Sequence, residues 1–220
     1  MVLFVHGALV RDADWWWHRM AGPLAGLGLT TAAVELPSCG AGGDLYADAD
    51  VVRSAVEAAS EPVVLVGHSY GGTVITDAGG GAAHLVYVAS VLADETQPHG
   101  SFGGPAPWVR PGDEEGTVEL VVDDELRRRF FADCDEATWA QAATRAVPQT
   151  AAAFAQPPRQ VAWRTVPSTY VVCAEDGATP AEAQRGYAGR AGATVELATG
   201  HHPFLSRPEE FAAALARIAG

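Results

Sequence analysis

Cysteine is scarce: Cys39, Cys134 and Cys173 are the only three in 220 residues. An odd number without metal-ligand spacing excludes a disulfide scaffold and a zinc site, and points to buried free thiols in a reducing cytosol. Basic side chains are also few, 14 against 27 acidic ones, for a formal charge of −13. Phosphate binding needs clustered Lys and Arg to release counterions, so nucleic acid is not expected as a partner, and an anionic membrane surface hardly more so. No apolar run approaches the ~18 residues of a membrane span. The opening Met1-Val2-Leu3-Phe4-Val5 has no basic segment before it and is too short for a signal peptide, so the expected location is the cytoplasm.

What is present reads as one globular domain over residues 1–220, with 48% hydrophobic and 19% charged residues. Apolar runs alternate with helical stretches. Strands are expected at Val2–Val5, Thr31–Leu36, Val63–Val66, His84–Val88, Thr169–Cys173 and Thr194–Leu197. Helices are expected at Trp15–Leu27, Leu45–Ala59, after Ser69, at Pro180–Ala191 and at Pro208–Ile218. Six strands separated by helices imply an α/β class fold, a doubly wound, mostly parallel sheet with right-handed crossovers. The alternation breaks over about residues 94–164, which hold seven of the 14 prolines and an acidic run Asp113-Glu114-Glu115. Helical segments near Asp123–Ala132 and Glu136–Ala146 make this stretch a helical cap inserted into the domain.

Gly67-His68-Ser69-Tyr70-Gly71 follows the most strand-like run of the chain and precedes a helix. G-x-S-x-G in that setting is a nucleophile elbow: a sharp strand-to-helix turn exposes Ser69, and crowding forbids side chains two positions either side. Acyl transfer then needs two N–H donors for the oxyanion. The amide of Tyr70 supplies one, and Ala8 in the loop Val5-His6-Gly7-Ala8 supplies the other, with His6 as a buried loop anchor. Of seven histidines, only His201 and His202 follow the last strand. His201, beside Gly200, is the expected base. The acid falls after the penultimate strand, where Asp176 is preferred to Glu175, and Asp94 is a weaker alternative. No cofactor and no metal is called for. Trp15-Trp16-Trp17 pins the first helix to core and cap, with one ring available to line a pocket. Phe102, Trp108, Phe130, Phe131, Trp139 and Trp163 lie in or beside the cap.

On these segments, with Ser90-Val91-Leu92-Ala93-Asp94 and the spacing Glu175-Asp176-x-x-x-Pro180-x-x-x-Gln184, the whole chain resembles the α/β-hydrolase superfamily. Within it, the chain is similar to the branch of plant methylesterases, hydroxynitrile lyases and small bacterial hydrolases. That resemblance implies an acid at Asp176 and a cap after the fourth strand. Two N-terminal edge strands of a full hydrolase sheet are not found. The expected activity is hydrolysis of a small carboxylic ester through an acyl-enzyme on Ser69. Alternatives on the same triad are a thioester-releasing or cyclising biosynthetic step, or a lyase. Lyases of this kind carry a lysine after the catalytic histidine and a threonine in the oxyanion loop, positions that here read His202 and Gly7. The expected partner is a small ester, with a homodimer left open.

Overall fold

In the computed structural model, which describes residues 1–40, 42–102 and 106–219, Val2–Val5 form strand β1, buried throughout. Its side chains alternate between two cores. Leu3 and Val5 join Val52 and Val74 on one face of the sheet, whereas Val2 and Phe4 join Trp17, Met20 and Phe211 on the other. A run apolar at every position is what a strand covered on both sides requires.

The chain continues through α1 (Ala13–Gly26), β2 (Thr31–Val34), α2 (Leu45–Ala58), β3 (Val64–His68), α3 (Tyr70–Ala78) and β4 (His84–Val88). After the cap come β8 (Ser168–Cys173), α7 (Ala181–Ala188), β9 (Ala193–Leu197), α8 (Pro203–Ser206) and α9 (Pro208–Ala219). The cap between β4 and β8 supplies β5 (Val109–Pro111), β6 (Thr117–Leu120), α4 (Asp124–Phe130), α5 (Glu136–Ala143), β7 (Gln149–Thr150) and α6 (Ala152–Ala155). The main sheet has six strands in the order β2-β1-β3-β4-β8-β9, parallel at every pairing. All six carboxyl ends therefore lie along one edge. The strand order reverses between β1 and β3, which opens a crevice at that edge.

The segment expected to be a helical cap also contains a small three-stranded antiparallel sheet, β5-β6-β7. The acidic run is its turn: Thr117 N donates to the Glu114 carbonyl at 3.2 Å, and Gly116 adopts φ 78°, a conformation that costs glycine little. Strands of two to four residues are too short to show an alternation. Pro105, counted with the cap prolines, lies outside the described residues.

Candidate active site

Ser69 sits where β3 passes into α3, at φ 52° and ψ −120°. This is a strained conformation for a residue with a side chain. The flanking glycines are steric necessities. A Cβ on Gly67 would stand 2.6 Å from the Gly71 carbonyl oxygen, and one on Gly71 the same distance from the carbonyl oxygens of Val5 and His6. The turn is tied down by Ser69 N donating to Val88 O at 3.0 Å and Ser90 Oγ donating to Ser69 O at 2.6 Å. The Ser69 hydroxyl does not cap α3, and the residue lines the cavity above the sheet edge.

The loop after β9 carries His201, whose Nδ1 lies 2.7 Å from Asp176 Oδ2, both residues being buried. With Nδ1 donating to the carboxylate, Nε2 keeps its lone pair for a proton acceptor's role. Asp176 is itself held from several sides. Its Oδ1 accepts from the amides of Ala178 and Thr179 at 2.8 and 3.1 Å, and its Oδ2 accepts from Gln184 Nε2 at 3.0 Å. Glu175 is exposed, and Asp94, outside the cavity wall, accepts from Thr96 in its own loop after β4. The structure thus brings His201 and Asp176 together and leaves both alternative carboxylates outside. His201 and Ser69 share the cavity wall, with no hydrogen bond joining them among the described residues. Such contacts often tighten only once substrate is bound.

The two expected oxyanion donors belong to the residue after Ser69 and to the loop after β1. Tyr70 is the first residue of α3, where backbone N–H groups have no partner within the helix. Ala8 lies in the loop after β1, and His6 fixes its orientation: His6 Nδ1 donates to Gly7 O at 2.8 Å. In a trans peptide the next N–H points opposite to that carbonyl, so the Ala8 amide is turned away from His6. His6 Nε2 accepts from Leu36 N at 3.3 Å, which makes it the buried anchor expected from the sequence. Ala8 lines the cavity. Tyr70 does not: its side chain turns under the sheet edge to Asp48, 2.7 Å from the phenol oxygen.

The cavity has a volume of about 700 Å³, within the range that encloses a drug-sized molecule. Trp108, Phe130, Phe131, Trp139, Phe154 and Tyr187 contribute to its wall, and no Asp, Glu, Lys or Arg does so among the described residues. Phe102 joins them, whereas Trp163 is occupied elsewhere, donating to Ala93 O at 2.8 Å. The three tryptophans diverge, as neighbours ~100° apart on a helix must. Trp17 stacks on Phe4 at 4.3 Å, Trp16 reaches the cavity, and Trp15 lies under the Arg145 guanidinium at 4.2 Å.

His68, His201 and His202 form the one group among the described residues that could hold a metal ion, with one nitrogen of each ring within 4.8 Å of the others. His68 Nε2 donates to His201 O at 2.9 Å, and His202 Nδ1 donates to Phe130 O at 2.9 Å. A metal would have to take the nitrogen that a base needs, so the arrangement suits a base flanked by two neutral rings. Burial holds the pKa of both His68 and His202 well below the usual histidine range, helped by repulsion from His201. Burial also lowers His6, and lowers His99 to about 4.

These rings set a pH dependence for stability. Each is neutral when folded, whereas in the unfolded chain it takes a proton near pH ~6.5. The unfolded state therefore binds more protons below that pH, and stability falls as pH drops, by up to about 1.4 kcal/mol per pH unit for each ring. Asp48, raised by burial, works in the opposite direction. Urea midpoints measured at pH 7, 6 and 5 are expected to fall progressively. A midpoint unchanged between pH 7 and 5 would show that the rings are not buried neutral.

Comparison with known proteins bears on the family and the fold. A model of the alpha/beta hydrolase family matches residues 2–214. The alpha/beta hydrolase nvfD of Aspergillus novofumigatus is 27% identical, over 94% of this chain and 92% of its own. A pyrethroid hydrolase structure from Sphingobium faniae superposes with a TM-score of 0.85 at 23% identity, covering 99% of this chain and 96% of that one. The methylesterase MES16 from Arabidopsis superposes with a TM-score of 0.82 at 20% identity, covering 99% and 98%.

Proposed function

The chain belongs to the alpha/beta hydrolase family, and within it we propose a serine esterase that acts on neutral, hydrophobic carboxylic esters. The observation that carries this reading is the convergence of a strained Ser69 with the His201–Asp176 pair on an apolar cavity. In the proposed reaction, Ser69 Oγ attacks the ester carbonyl and its proton passes to His201 Nε2. The amides of Tyr70 and Ala8 hold the oxyanion. His201 then gives that proton to the departing alkoxide, leaving an acyl-Ser69. Water, deprotonated by His201, attacks the acyl group and releases the acid. Asp176 orients the imidazole and balances its charge while it is protonated.

The cavity supports the substrate class. Its wall carries no formal charge among the described residues, so a charged acyl or alcohol group would lose its hydration without a partner. In a series of p-nitrophenyl esters, kcat/KM is expected to rise with acyl length, by about fourfold per methylene, until the cavity is filled. A p-nitrophenyl hemisuccinate is expected to react at least tenfold more slowly than its neutral analogue. Equal rates for the two would remove the argument from cavity polarity.

Cyanohydrin cleavage is disfavoured by the residues at the cation and hydroxyl positions. A lyase must stabilise departing cyanide with a lasting positive charge. His202 is buried against Trp16 and Phe131 and is kept neutral, and the chain contains no lysine. A threonine at Gly7 would bring its Cβ to 3.2 Å from His68 Nδ1 and 3.4 Å from Ser69 Cβ. Cyanide release from mandelonitrile is therefore expected at the background rate, and robust release would overturn the esterase reading. The free thiols Cys39, Cys134 and Cys173 fit work in a reducing compartment, and among the described residues no helix is long and apolar enough to cross a membrane.

A further inference from the structure

Helix α2 buries an apolar stripe of Leu45, Ala49, Val52 and Val56, and Asp48 lies in the same stripe, fully inaccessible to solvent. A carboxylate in such a place must be matched by donors. Its Oδ1 accepts from Ser38 N at 2.8 Å, and its Oδ2 accepts from Ser38 Oγ at 2.6 Å and from the Tyr70 phenol at 2.7 Å. The Ser38 hydroxyl in turn accepts from Gln149 Nε2 at 2.8 Å. Gln149, also fully buried, accepts from Leu9 N through its Oε1 at 2.7 Å.

Both ends of this chain of bonds meet the proposed oxyanion site. Leu9 follows Ala8 directly and is held at φ 64°, a left-handed conformation that leucine does not adopt without support. Tyr70 is the residue whose amide stands next to Ser69. Taking the serine-esterase reading as given, we infer that Asp48 is a positioning residue that braces both oxyanion donors at once. It holds Tyr70 directly, and holds the Ala8–Leu9 loop through Ser38 and Gln149. The second arm runs through β7, so the cap is joined to the chemistry by a hydrogen-bonded strut as well as by its cavity wall. No other carboxylate among those of the site has this role. Asp176 serves His201 instead.

The effect is specific to the transition state. Oxyanion donors misplaced by a fraction of an ångström weaken the tetrahedral intermediate while leaving ground-state binding alone. Asp48→Asn keeps the volume but replaces one acceptor oxygen by an NH2 that faces donors. We expect kcat to fall by about 10- to 100-fold with KM within about twofold. Affinity for a trifluoromethyl ketone analogue should fall by the same factor as kcat/KM. The acid limb of the pH–rate profile, set by the base, should keep its midpoint. Tyr70→Phe and Gln149→Leu each cut one arm, and each should give a smaller loss that is less than additive with Asp48→Asn.

Rates are referred to active sites counted by a fluorophosphonate, so that misfolded protein does not enter. If Asp48→Asn keeps kcat per titrated site within about twofold, or loses substrate and analogue affinity alike, the inference fails. Should Asp48→Asn not fold, the two single-arm variants decide: unchanged kcat in both overturns it. If wild-type protein takes no fluorophosphonate label on Ser69 and binds no ketone analogue, the esterase reading itself has failed.

Discussion

Ser69→Ala is expected to lower kcat by about 10⁴- to 10⁶-fold on any ester the wild type turns over, with the melting temperature close to that of the wild type. The size of the loss follows from removing the nucleophile of a covalent mechanism, which leaves only binding and oxyanion stabilisation to act on an attack by water. The fold should tolerate the change because the Ser69 hydroxyl does not cap α3. The contacts that hold the turn run through its backbone, from Ser69 N to Val88 O and from Ser90 Oγ to Ser69 O. Alanine inherits the positive φ and with it the same strain. A fluorophosphonate should add one label to wild-type protein, on the peptide carrying Ser69, and none to the variant. Labelling at another residue, or a variant that keeps a tenth of the activity, would remove Ser69 from the mechanism.

Much of this architecture was legible in the residues because parallel strands buried on both faces leave continuous apolar runs. Val2–Val5 and His84–Val88 needed no more than that, and glycines flanking a serine at the end of such a run identify the elbow. Chain order narrowed the base to His201 and His202, and only the neighbouring Gly200 favoured the first of the pair. What separates the two is tertiary: one ring meets Asp176, while the other packs among Trp16 and Phe131, which also touch each other. The β5-β6-β7 sheet was not legible. Its strands have two to four residues, and its prolines and acidic turn resemble loop composition. Asp48 was missed for a different reason. Its signal, an acid inside the apolar stripe of α2, is visible in the sequence, but the partners that explain it come from Ser38, Tyr70 and Gln149, which no local pattern connects.

Asp176→Asn and Glu175→Gln change adjacent residues by the same chemistry, and their expected consequences differ by orders of magnitude. Asp176 is buried, and its two oxygens receive four donors: the amides of Ala178 and Thr179, the Gln184 side chain and His201 Nδ1. An asparagine has only one acceptor oxygen for those four. If its oxygen stays with the two backbone amides, its NH2 faces His201, whose Nδ1 must then become the acceptor. That places the imidazole proton on Nε2, toward Ser69, and the ring can no longer accept the serine proton. If the asparagine turns the other way, its NH2 meets two backbone N–H groups and leaves them unsatisfied in the interior. We therefore expect kcat to fall by about 10⁴-fold, as the wrong tautomer does in triad enzymes, with some loss of stability from the unmatched donors. Glu175 is exposed, and what holds it in the loop is its backbone N–H donating to Thr199 O at 2.9 Å, which glutamine keeps. Glu175→Gln should stay within about twofold of wild type in both kcat and melting temperature. Measuring the two variants side by side, per fluorophosphonate-titrated site, settles which carboxylate serves the base, and the reverse ranking would assign it to Glu175.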